Sequence, residues 1–149
     1  FGLRGDLQSD AASVLPITRE LVKLDGLRFM RDPTRGGLAT TLNELARQSG
    51  CGMVIAEQRI PVQGQVNAAC EFLGLDPLYV ANEGKLVAIC PAADAERLLA
   101  AMRDHPLGRD AAIIGEVIDD PHHFVQMDTT FGGRRVIDWL TGEQLPRIC

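Results

Sequence analysis

The chain closes on Arg147-Ile148-Cys149, and its last side chain is the one with the widest chemical reach. A terminal thiol on an extended backbone is a nucleophile on a tether. From Thr141 to Cys149 there is neither a helical stripe nor strand alternation. Fully extended, such a segment reaches roughly 30 Å, and Pro146 favours an extended tip over a curled one. An ordinary thiol, with a pKa of about 8.5, is only about 3% thiolate at neutral pH. The adjoining α-carboxylate disfavours the thiolate and Arg147 partly restores it, so the thiol is expected to need a partner enzyme to activate it. The cysteine is last rather than fourth from the end, which excludes a prenylation box. The plain alternative is an inert tail.

Two other segments have chemistry to offer. Asp32-Pro33-Thr34-Arg35-Gly36-Gly37 stands before an apolar helical pattern. Paired glycines accept positive φ and let a backbone approach a ligand closely. The helix behind them presents free N–H groups and a partial positive charge, which suit a phosphate or carboxylate. Arg35 adds a charge-assisted donor, and Asp32 is placed to hold Mg²⁺ or to brace the loop. The simpler reading is a helix cap by Thr34 or Asp32. The second segment is Asn82-Glu83-Gly84, ahead of the apolar run Leu86–Cys90. A carboxylate partly desolvated at a strand mouth becomes a better general base. Lys85, its neighbour, points to the other face of a strand and need not neutralise it. The simpler reading is a solvated turn glutamate.

The elements that must position these groups follow from periodicity. Residues 10–24 predict a helix interrupted or started near Pro16, with Ile17, Leu21, Val22 and Leu24 as its partial stripe, and Asp25-Gly26 as a turn. Leu27–Met30 predicts a strand. In residues 38–50, Leu38, Leu42, Leu45 and Ala46 recur at helical spacing and Gly50 stops the helix. CGMVIAE predicts a strand, Pro61 to Gly74 a helix with Val66, Ala69, Cys70 and Leu73 inward, and Lys85–Cys90 a buried strand. Leu98, Leu99 and Met102 mark the clearest helix. AAIIGEVI predicts a strand whose Gly115 implies a bulge or a close backbone approach. HHFVQM and RRVIDWL predict two short strands around an FGG turn. The order α-β-α-β-α-β-α-β-β-β predicts an α+β fold, a two-layer α/β sandwich with a mixed sheet, over residues 1–140, with 141–149 as a flexible tail.

Composition narrows the classes. The 149 residues are 46% apolar and 23% charged, with a formal net charge of −5. One packed domain is expected, without the basic footprint of a nucleic-acid binder. No apolar run is long enough for a membrane span, and FGLRGDLQSDAAS lacks a signal-peptide layout. Of the four cysteines, Cys51, Cys70 and Cys90 stand in apolar or small-residue surroundings and no pair is spaced CxxC. Free thiols in a reducing, cytoplasmic setting are expected, and no zinc knuckle. Phe1 stands where an initiator Met is expected, so the chain is expected to be a fragment.

Three segments together carry a resemblance: DPTRGGLATTLNELA, YVANEGKLVAI and the terminal PRIC. They resemble the C-terminal domain of the aminoimidazole-ribonucleotide synthetase superfamily and, within it, the HypE family of hydrogenase maturation factors. The terminal motif is the most specific of the three. The resemblance runs along nearly the whole chain and implies that an N-terminal ATP-binding domain is missing. It implies a carbamoyl dehydratase. A carbamoyltransferase, HypF, loads Cys149; ATP with Mg²⁺ dehydrates the carbamoyl group to a thiocyanate; the nitrile passes to iron on a HypC–HypD scaffold as the cyanide ligand of [NiFe]-hydrogenase. By matching position, Glu83 becomes the base, and Asp32, Thr34, Arg35, Gly36 and Gly37 the phosphate loop. Arg147 and Ile148 would guide the tail. The full-length protein is expected to be a homodimer, and this chain alone to be inactive. Two alternatives stand beside it. One is a small-molecule kinase of the same superfamily; the other is a docking domain whose tail binds a partner or, with His122 and His123, a metal.

Overall fold

The computed structural model describes residues 9–139. The expected tail and its Arg147, Ile148 and Cys149 therefore lie outside the described residues. The elements follow the expected order: α1 (Leu15–Leu21), β1 (Phe29–Arg31), α2 (Gly37–Ser49), β2 (Gly52–Ala56), α3 (Gly64–Leu73), β3 (Val87–Ile89), α4 (Ala95–Arg103), β4 (Gly115–Ile118), β5 (Val125–Asp128) and β6 (Arg134–Val136).

The strands form two sheets rather than one. Four of them make a mixed sheet in the order β4-β2-β5-β6, in which β2 and β5 run parallel and the other neighbours antiparallel. The remaining pair, β1 and β3, is a separate antiparallel ribbon that aligns Phe29 with Ile89. Alternation along β2 and β5 turns Met53, Ile55, Val125 and Met127 to one face, where they meet Ala39, Leu42, Leu45 and Ala46 of α2 in the core. Helix α2 is thus the inner layer over the sheet. Its stripe was legible because apolar residues recur at helical spacing, and Gly50 ends it in the left-handed conformation at φ 69°. Helices α1 and α4 pack against each other, with Ile17, Leu21 and Leu98 buried.

Several local expectations change. Pro61 does not open α3, which begins at Gly64. Of its expected inward face only Cys70 is buried, and Leu73 is 53% exposed. Val22 is likewise exposed, beyond the end of α1. The expected buried strand Lys85–Cys90 shrinks to the three residues of β3, all half-buried, because among the described residues only β1 pairs with it. His122 and His123 lie in the turn before β5, not on the strand, and His123 holds a left-handed φ of 56°. Gly115 meets its expectation of close approach: a Cβ there would sit 2.2 Å from the carbonyl oxygen of Val54.

No helix among the described residues is long and apolar enough to cross a membrane.

Candidate functional site

The loop before α2 is shaped by its own glycines. Gly36 and Gly37 both take positive φ, 75° and 62°, which costs other residues steric strain. A Cβ on Gly37 would lie 2.5 Å from the carbonyl oxygen of Leu78 and 2.6 Å from that of Val80, and one on Gly36 would lie 2.1 Å from Thr40 Oγ1. The close approach that paired glycines permit is therefore made to the protein's own 78–80 segment. The loop closes with the Gly37 N–H donating to the Thr34 carbonyl at 2.9 Å. Neither Thr34 nor Asp32 caps the helix: Gly36 is the N-cap residue, no side chain bonds there, and the first turn holds no acidic residue. At the base of the loop an ion pair joins Arg31 to Glu44, tying β1 to α2.

This helix start suits an anion. An uncapped N-terminus leaves backbone N–H groups to be met by a ligand or water. Arg35 and Asp32 are exposed beside it and Thr34 is half-buried. Among the described residues, Thr40 Oγ1 is the buried side-chain oxygen or nitrogen without a hydrogen-bond partner, and it lies against Gly36. A hydroxyl in the first turn of α2, a free helix end and a guanidinium fit phosphate oxygens. Sequence reading missed Thr40, because a threonine in a helical run carries no signal of its own.

The second candidate segment is knotted to the first. The Asn82 backbone N–H donates to the Pro33 carbonyl at 3.0 Å. The Asn82 side chain donates to the Val80 carbonyl at 2.7 Å and accepts from Lys85 Nζ at 2.8 Å. Lys85 is thus engaged by Asn82 and not by Glu83. Gly84 packs so closely on the chain's N-terminal side that a Cβ would fall 1.6 Å from the Asp10 carbonyl oxygen, and the Glu83 N–H donates to the Asp10 carboxylate at 3.3 Å. The expected partial desolvation of Glu83 is absent in this chain. Glu83 is exposed, and among the described residues its carboxylate has no hydrogen-bond partner. Asp32, Thr34, Arg35, Gly36, Gly37 and Glu83 are thereby brought onto adjoining loops. Cys149, Arg147 and Ile148 are outside the described residues. Groups of three or more His, Cys, Asp or Glu side chains able to hold a metal ion are absent among the described residues.

Beside these loops runs the strand that leads to the tail. Asn43, 8% exposed on the apolar side of α2, donates to the carbonyls of Ala39 at 2.9 Å and Ile137 at 3.0 Å. The Tyr79 hydroxyl donates to the Asp138 carbonyl at 2.9 Å, and Arg135 pairs with Asp76 at 2.8 Å. Burial and the nearby Asp76 carboxylate push the Tyr79 phenol above its ordinary value, so it remains a donor at physiological pH.

A mixed sheet backed by α2, with a glycine loop at the start of that helix, defines a domain class. The chain belongs to the family described as AIR synthase related protein, C-terminal domain, which matches residues 9–128. Within that class it is similar to carbamoyl dehydratase HypE of Cupriavidus necator, at 67% identity over 145 residues (97% of this chain, 41% of that protein). It is also similar to carbamoyl dehydratase HypE of Azotobacter vinelandii, at 64% identity over 150 residues (100% and 44%). The chain thus spans about two fifths of the length of these curated relatives. A crystal structure of the hydrogenase maturation protein HypE superposes with a TM-score of 0.92 at 47% identity, covering 98% of this chain and 48% of that one. A crystal structure of a hydrogenase maturation protein HypE in complex with ATP gives 0.91 at 46% identity, covering 100% and 46%. The HypE–HypF complex gives 0.86 at 40%, covering 93% and 46%.

Proposed function

We propose that this chain is the tail-bearing half of an ATP-dependent carbamoyl dehydratase acting in [NiFe]-hydrogenase maturation. The observation that carries the reading is the Asn82–Pro33 junction, which sets the loop of Glu83 against the glycine loop. The names of its relatives and the ATP complex of one of them support the same chemistry. In the full-length protein Cys149 carries a carbamoyl group as a thiocarbamate, already tethered, so no second molecule need be captured. ATP supplies the phosphoryl group that makes the carbamoyl oxygen a leaving group. Arg35, the α2 N-terminus and Thr40 hold phosphate oxygens, and Asp32 is the carboxylate placed for Mg²⁺. Glu83 accepts the remaining N–H proton as the C–O bond breaks. The products are a thiocyanate on Cys149, phosphate and ADP, with the water oxygen leaving in the phosphate.

The expected partners are a HypF-type carbamoyltransferase, in line with the HypE–HypF complex among its structural neighbours, an iron-bearing HypC–HypD scaffold, and a second copy of the full-length chain. The isolated chain, short of most of its relatives' length, is expected to lack ATPase activity. The test uses the full-length protein, loaded by the transferase with carbamoyl phosphate and ATP. Intact mass resolves first the carbamoyl adduct and then its loss of one water, both mapped to the terminal peptide. A Cys149→Ala variant that keeps its turnover would favour the small-molecule kinase instead. Absence of any adduct on that peptide would favour a docking domain.

A further inference from the structure

We propose that Asn43 and Tyr79 are positioning residues that latch the root of the C-terminal tail to the segments carrying Glu83 and the glycine loop. The inference rests on the reading above, in which Cys149 delivers its group to Glu83. How well a tethered group is delivered depends on where its tether is held and how long the free part is. Past the end of β6 the chain continues through Ile137 and Asp138, and Cys149 closes the sequence beyond. Each of those two carbonyls is claimed by a side chain from elsewhere: Ile137 by Asn43 at 3.0 Å and Asp138 by Tyr79 at 2.9 Å. The Ile137 N–H donates to the Val125 carbonyl at 2.8 Å, and the Arg135–Asp76 pair adds a third side-chain tie.

The two latching residues sit where the site is built. Asn43 lies on α2, which starts at Gly37, and the turn 77–79 that holds Tyr79 supplies the Leu78 carbonyl under Gly37 and runs on to Asn82-Glu83. The tail therefore departs from the same frame that presents its destination. A buried amide is costly unless bonded. An apolar residue would fill the core position of Asn43 without that cost, and the Asn43 bond that leaves its own helix goes to the tail root. The Tyr79 ring packs against the core, and its hydroxyl is spent on the next residue of that root.

The test measures single-turnover dehydration in full-length protein preloaded on Cys149 by the carbamoyltransferase, started with ATP and followed by intact mass. Tyr79→Phe removes one hydroxyl and Asn43→Leu one amide at nearly constant volume. Each is expected to slow the step about threefold, and the double variant on the order of tenfold, with the KM for ATP within about twofold of wild type. A role in folding alone lowers the melting temperature and the reactive fraction but leaves the rate constant of that fraction unchanged. Wild-type rate constants in both Tyr79→Phe and the double variant would overturn the latch. Should the double variant not fold, Tyr79→Phe decides by itself. Wild-type protein that never loses water from its adduct would overturn the dehydratase reading, and the latch with it.

Discussion

The backbone N–H of Asn82 donates to the carbonyl of Pro33 at 3.0 Å, joining two loops that are far apart in sequence and chemically complementary. One loop offers Glu83, a carboxylate held off its neighbouring lysine. The other offers the free end of α2 with Arg35 beside it. Because the bond uses backbone groups, most side-chain substitutions leave it in place, and the consequences are best probed at the residues it positions.

Glu83→Gln in the full-length protein keeps size and polarity but not basicity. On the proposed reading, loss of the base is expected to lower the dehydration rate by about 10²–10⁴-fold, with loading of Cys149 expected to continue at the wild-type rate. Mass spectrometry of the terminal peptide checks both, and accumulation of the carbamoyl adduct is the expected signature.

Glycine substitutions separate backbone strain from close packing. Gly37→Ala meets both a positive φ and two carbonyl oxygens inside van der Waals contact, so it is expected to destabilise by about 2–4 kcal/mol. Gly74→Ala has φ of 68° but nothing within 4 Å, and about 1 kcal/mol is expected. Gly64→Ala, at the open start of α3 without a positive φ, is expected to stabilise by about 0.4–1 kcal/mol. Urea denaturation of the three variants gives the order.

Acid stability has an identifiable contributor. The Glu57 carboxylate accepts from the Thr130 N–H at 2.7 Å and from its hydroxyl at 2.9 Å, and these bonds hold its pKa below the ordinary 4.5. A depressed folded pKa means stability that is present above 4.5 and lost as the pH falls through the lower, folded value. Glu57→Gln is expected to be less stable than wild type near neutrality and to lose less on acidification. Denaturation midpoints of the two proteins should differ well above pH 4.5 and converge well below it.

The internal thiols should stay out of the chemistry. Burial raises the pKa of Cys70 and of Cys90 above the thiol norm, so the reactive thiolate is scarcer at both. With iodoacetamide at neutral pH, Cys70, the buried one, is expected to react slowest of Cys51, Cys70 and Cys90. Peptide mapping over a time course reads the order, and fast labelling of Cys70 would contradict the packing of α3 against the turn at Leu78.

What the sequence settled by itself is whatever is written in short-range pattern. The order of ten elements, the stripe of Leu42, Leu45 and Ala46, the glycine stop at Gly50, and the family resemblance carried by three short segments all depend on residues near one another. Tertiary structure alone decided what depends on distant partners. The strand at Lys85–Cys90 lost its expected burial because its one pairing partner among the described residues is β1. His122 and His123 left the strand because the turn at Asp120 claims that backbone: its carboxylate accepts the N–H groups of His122 and Phe124. Glu83 turned out exposed because Asn82, not the glutamate, makes the contacts that hold its loop. Asn43 stood in the apolar stripe four residues from Ala39, a polar residue where Leu would fit, and that spacing was the available clue. Its partner at Ile137 lies ninety-four residues on, and no local propensity encodes which carbonyl a buried amide will find.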